Sequence, residues 1–143
     1  MENYTMISFL LLIIDGLLLT GMYKGMYRKR KTIGFHQAKN ITMTISTFAA
    51  LLTGLILVYL FPQSYVGVTI ITTIIGLAVG AAFGILFDYQ SMLMGYSHGG
   101  LMGLMSPMIG GMTGESLVLA FFAHFLFFGY VSFVFIQSRR KAY

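Results

Sequence analysis

Five stretches of this chain have the length to cross a bilayer, and little chain is left over to do anything else. A spanning helix needs about 20 mostly apolar residues. Residues 6–23, 41–61 and 65–87 qualify on apolar content, as does 117–136 with Phe121, Phe122, Phe125, Phe127 and Phe128. Residues 91–112, SMLMGYSHGGLMGLMSPMIGGM, have the length but carry six glycines, a proline and a histidine. Inside lipid a backbone must satisfy its own hydrogen bonds, so spans of this kind predict helices. The expected fold class is all-α, a polytopic membrane helix bundle forming one integral domain over residues 1–143.

Charge placement decides the count. Only 9% of the 143 residues are charged against 57% hydrophobic, where a soluble domain carries roughly 25% charged residues. Lys24, Arg28, Lys29, Arg30, Lys31 and Lys39 fall between the first two spans, which marks residues 24–40 as a basic cytoplasmic loop. The amino-terminal MENYT has no positive side chain and is expected outside. Arg139, Arg140 and Lys141 close the chain, in a tail expected over residues 137–143. If residues 91–112 cross, that tail also lies inside and all nine basic side chains share one face. Five transmembrane helices, amino end out and carboxyl end in, are therefore expected, in a cell membrane of bacterial plasma-membrane type. The first span is too long, and wrongly flanked, for a cleaved signal peptide.

Several function classes drop out. With no cysteine, disulfide scaffolds and thiolate chemistry are excluded. No glycine-rich loop ending in lysine implies a bound nucleotide. No nucleophile, base and orienting group assemble from the motifs, so an enzyme is not expected. The net charge of +5 sits between apolar runs, which suits anionic headgroups at residues 24–40 rather than nucleic acid.

Glycines then organise the second half of the chain. Gly76, Gly80 and Gly84 recur every four residues, as do Gly95, Gly99 and Gly103. Four-residue spacing keeps them on one helical face, and small residues on one face let backbones approach closely in lipid. A turn at residues 88–91 predicts an antiparallel hairpin with Gly84 level with Gly95, Gly80 with Gly99 and Gly76 with Gly103.

The same fourth span carries a second stripe. At about 100° per residue, Met94, Met102, Met105 and Met112 fall within about 40° of His98, with Met108 just beyond. Pro107 cannot donate to the Gly103 carbonyl, so a kink is expected there. Thioether sulfur and imidazole nitrogen favour Cu(I). Weak ligands one turn apart suit stepwise passage of an ion. On this reading the stripe looks inward while the glycines lie along the third helix. Two short pieces resemble eukaryotic-type copper importers, which pair an MxxxM segment with a GxxxG helix. Met108 and Met112 form MIGGM, and Gly76 and Gly80 form GLAVG. Those importers have three spans and another motif order, and membership is not inferred.

Three ionisable side chains lie within spans. At a rise of about 1.5 Å per residue, His124, Asp15 and His98 are expected roughly 10, 14 and 20 Å below the outer surface. Asp15 and His124 are candidates for a proton or polar relay, or Asp15 makes one interhelical bond that fixes register. Haem held by both histidines is disfavoured by their separation of about 10 Å in depth.

The resulting expectation is a small transporter, channel or metal-handling protein for a soft cation, working as a homo-oligomer. The rival is a non-transporting accessory subunit of a larger membrane complex, with glycines for packing and methionines as core filler.

Overall fold

The computed structural model describes residues 2–114 and 117–140. It is 91% helical, without strands among the described residues. The elements are α1 (Glu2–Lys29), α2 (Phe35–Leu60), α3 (Tyr65–Ile85), α4 (Tyr89–Met112) and α5 (Leu117–Arg140), with a short 3₁₀ turn Pro62–Ser64 before α3. Four of these, all but α4, combine the length and apolar content to cross a membrane. The architecture is thus compatible with an integral membrane helix bundle.

The helices outrun the apolar spans. α1 continues to Lys29 and α2 starts at Phe35, so residues 24–40 are helical except for a tight turn at 30–34, not a loop. Both halves lack helix breakers apart from Gly25 and Gly34, and the polar ends need not be apolar to stay hydrogen-bonded. α2 stops at Leu60 because Phe61 precedes proline and is pushed out of the helical region, at φ −130° and ψ 62°. α4 ends two residues before Gly114, whose φ of +66° supplies the left-handed turn that leads out. Glu115 lies outside the described residues.

α2, α3 and α4 form the core, and α1 and α5 lie outside it, chiefly against α2. Small residues on all three core helices make this possible. A Cβ on Gly80 would overlap the Gly95 carbonyl, and one on Gly76 the Gly99 carbonyl. From Gly103, a Cβ would come within 2.7 Å of the Thr72 carbonyl. α2 contributes its own four-residue track, Ala38, Thr42, Ser46, Ala50 and Gly54, all buried. Thr42 Cγ2 lies 2.5 Å from a Cβ built on Gly95, Ser46 Cβ lies 3.2 Å from one on Gly99, and Ala50 Cβ lies 3.0 Å from one on Gly76. With lipid tails as apolar as leucine, such close backbone approach replaces the hydrophobic effect as the source of helix association.

The hairpin register differs from the expected one by a helical turn. Gly80 faces Gly95 and Gly76 faces Gly99, while Gly84 meets Met92 and Gly103 meets Thr72 and Thr73. The expected pairs Gly84–Gly95, Gly80–Gly99 and Gly76–Gly103 do not form. The cause is Asp88. Its carboxylate accepts from the N–H groups of Gln90 (3.0 Å) and Ser91 (3.3 Å) and from the Ser91 hydroxyl. That caps α4 two residues before the expected start at 91, and the turn closes at Leu86 and Phe87 instead.

Pro107 sits inside α4, yet the helix is continuous across it. The carbonyl it strips of a donor, Gly103 O, lies 2.8 Å from Thr72 Oγ1 on α3. One turn along, Ser106 Oγ donates to the Ala50 carbonyl of α2 at 3.0 Å. Neighbouring hydroxyls are the usual rescue for proline in a membrane helix.

Candidate functional site

Two places hold the chemistry-bearing side chains, and they lie on different helices. The first is the seam between α1 and α5. Asp15 is 6% exposed and His124 5%. His124 Nε2 lies 3.0 Å from Asp15 Oδ1 and 3.2 Å from Oδ2. The other nitrogen, Nδ1, lies 2.7 Å from the Ala120 carbonyl of its own helix. A carbonyl only accepts, so Nδ1 carries a proton. Nε2 then needs a proton between itself and the carboxyl group, on either partner. The pair therefore holds one shared proton and is neutral overall in both arrangements, which is how a carboxyl and an imidazole are accommodated away from water. Ala120, Ala123 and Phe127 are buried on the same stretch of α5. On α1 the buried face runs through Ser8, Asp15 and Met22, seven residues apart. The structure brings Asp15 and His124 together and leaves His98 out. His98 Nδ1 instead faces the Met94 carbonyl on α4 at 3.0 Å.

The second place is the outer face of α4. Met94 is 43% exposed, Met105 53%, Met108 56% and Met112 80%, and His98 and Met102 are half-buried. The expectation that these donors look into the bundle is corrected. The glycine side of α4 is shared by two neighbours: Gly95 and Gly99 meet α3 and also Thr42 and Ser46 of α2. Ser106 and Pro107 are buried as well. Both partners lie on that side, and α1 and α5 rest chiefly on α2, which leaves these four methionines exposed among the described residues. Within the single chain, Met94, Met105, Met108 and Met112 thus face outward rather than into the bundle.

Local geometry on this face still selects one nitrogen. His98 donates its Nδ1 proton to the Met94 carbonyl, which leaves the Nε2 lone pair available. Thioethers stand one turn to either side, at Met94 and Met102. Anchoring one ring nitrogen on a carbonyl is the support that metal-binding histidines usually have. Among the described residues, no three His, Cys, Asp or Glu side chains converge as a metal site, so any coordination here would rest on sulfur.

Three structural contributors lie outside any motif: the Asp88 cap, the α2 small-residue track and the Thr72 hydroxyl. The first two had signals, since Asp88 is followed by Ser91 and residues 38, 42, 46, 50 and 54 are all small. Thr72 is identifiable only once the register is known. The chain matches no family model, no curated protein and no solved structure.

Proposed function

We propose that the chain is a structural subunit of a membrane assembly. It is a rigid five-crossing wedge, amino end outside and carboxyl end in the cytoplasm, which offers the Met/His face of α4 to another transmembrane chain. One observation carries this reading: small residues close the centre of the bundle backbone against backbone, while the stripe from Met94 to Met112 faces outward. A path for a solute through the single chain finds no support in that arrangement. Flexible thioethers suit a surface that must fit another irregular helix. The Asp15–His124 pair ties α1 to α5 as a register lock. The basic end, residues 24–40 with the α5 tail, rests on acidic headgroups at the inner surface of a plasma membrane.

A photo-reactive phenylalanine analogue placed at Met105 tests the assembly role, with the same probe at Ile74 on the outer face of α3 (59% exposed) as the control. Illumination in native membranes is expected to give a discrete higher-mass adduct from position 105 and none from 74. Equal yields at both positions, or none at 105, overturn it.

A second reading is favoured by the His98 geometry: the same face binds a soft cation such as Cu(I), with Met94, His98 and Met102 as first ligands and Met105, Met108 and Met112 further along. Its measure is the copper content of the purified protein beside His98→Ala and the triple variant Met102→Leu/Met105→Leu/Met112→Leu. Equal copper in all three removes the cation reading and leaves the assembly reading intact.

A further inference from the structure

The basic end of α1 has a feature that neither packing nor general surface charge explains. Tyr23, Lys24, Gly25, Tyr27 and Arg28 line an open groove of about 580 Å³. Both tyrosine rings are braced from beyond the groove. Tyr23 packs edge-on against Phe83 of α3, ring centroids 5.5 Å apart, and the Arg30 guanidinium lies 4.6 Å over the Tyr27 ring. Both walls are thus fixed by the chain's own contacts. Gly25 lines the same groove, although a Cβ there would touch nothing within 4 Å. A glycine inside a helix costs roughly 0.5–1 kcal/mol relative to alanine, and among the described residues no helix uses the space it leaves.

Charge in the groove is uncompensated. Lys24 and Arg28, one turn apart, form no ion pair among the described residues. The chain has only four acids. Asp15 is taken by His124 and Asp88 by the α4 cap. Glu2 opens α1, at the end of that helix remote from Lys24 and Arg28, and Glu115 lies outside the described residues. The contacts Lys39 Nζ to Gln90 Oε1 (2.6 Å) and Tyr130 hydroxyl to the Asn40 carbonyl (3.4 Å) bring the start of α4 and the second half of α5 against the first turns of α2. They add no carboxylate.

Beyond Lys24, the same face of α1 turns apolar. Leu17 (68% exposed), Ile13 (64%), Leu10 (58%) and Met6 (72%) follow at three- and four-residue steps, a single outer stripe that lines up with Lys24 and Arg28.

We propose that this groove holds the phosphate of one acidic phospholipid between Lys24 and Arg28, with an acyl chain laid along the Leu17–Ile13–Leu10–Met6 stripe. The proposal rests on the reading of the basic end as headgroup-facing, and goes further by assigning one built site. Two cations with no ion-pair partner among the described residues supply the anion contacts. The tyrosines sit at the level where amphipathic rings belong, and Gly25 lets the glycerol region approach the helix.

The test is lipid retention by the purified full chain, read by mass spectrometry after exchange into detergent and re-addition of phosphatidylglycerol or phosphatidylcholine. Wild type is expected to retain about one phosphatidylglycerol per chain over phosphatidylcholine. Retention is expected to fall roughly thirtyfold in Lys24→Gln/Arg28→Gln, at about 1 kcal/mol per basic residue. It should fall as well in Gly25→Leu, which fills the groove without changing charge. Lys29→Gln/Lys31→Gln, with the same charge loss outside the groove, should retain the wild-type amount. Unfolding temperatures report that each variant is folded.

Equal losses in both charge pairs overturn the groove but leave the headgroup reading standing. Full retention in Gly25→Leu also overturns the groove. No preference for phosphatidylglycerol in wild type removes both readings. Displacement of the lipid by millimolar inorganic phosphate would assign the site to a free anion instead.

Discussion

One methyl group at Gly80 would have to occupy the place of the Gly95 carbonyl. The same group at Gly16 or Gly21 meets nothing within 4 Å. Gly80→Ala is therefore expected to lower stability by about 2 kcal/mol or more, because the helices must part to admit it. Gly16→Ala should raise it by roughly 0.5–1 kcal/mol through helix propensity alone. Thermal unfolding in detergent compares the two, and a neutral Gly80→Ala would contradict the close approach. At the α1–α5 seam, Asp15→Leu leaves the His124 ring without its partner and should cost about 1–3 kcal/mol. Adding His124→Phe should recover most of that loss, since an apolar pair of similar bulk needs no proton. A double-mutant cycle on unfolding free energies reads this directly. At this scale the sequence was informative about which residues matter, because glycine spacing and an intramembrane acid both have narrow physical meanings. It was silent on direction. The angle between the glycine and methionine stripes of α4 is visible in the residue numbers, but not how many neighbours share the glycine side.

α4 shows what the sequence conveys about an element and where it stops. Its existence, its glycine face and the carbonyl freed by Pro107 follow from residue types. Its register does not, because register turns on whether Asp88 ends the turn or begins a helix, and hydropathy ignores capping. Asp88→Ala is accordingly expected to cost about 1 kcal/mol and to loosen the first turn of α4, seen as faster amide exchange at Gln90 and Ser91. The bond between Thr72 and Gly103 predicts a compensating pair. Thr72→Val should cost about 0.6–2 kcal/mol, the range for interhelical hydrogen bonds in lipid. In a Pro107→Ala background that penalty should shrink, because residue 107 regains an N–H for the Gly103 carbonyl. Equal penalties in the two backgrounds would mean the hydroxyl does not serve that carbonyl. The α2 track, from Ala38 to Gly54, went unread because its small residues differ in type, whereas a repeated glycine announces itself.

The whole molecule is unevenly held together. Small-residue contacts bind α2, α3 and α4, while α1 and α5 are held chiefly by α2 and by the Asp15–His124 pair, with Tyr23 of α1 also against Phe83 of α3. Hydrogen exchange in detergent should find the α3–α4 amides protected longest and those of α1 and α5 opening first. Uniform protection would contradict that division. The layout also bears on how the chain enters the bilayer. α4 is the helix whose own apolar content falls short of the other four, and its main packing partners, α2 and α3, are made before it. A ribosome exposing α4 to the insertion machinery thus presents a segment whose natural receptor, the bare side of α3, emerged only three residues earlier. The two are expected to enter lipid as a unit, and moving α4 to the front of the chain should leave it stranded in water.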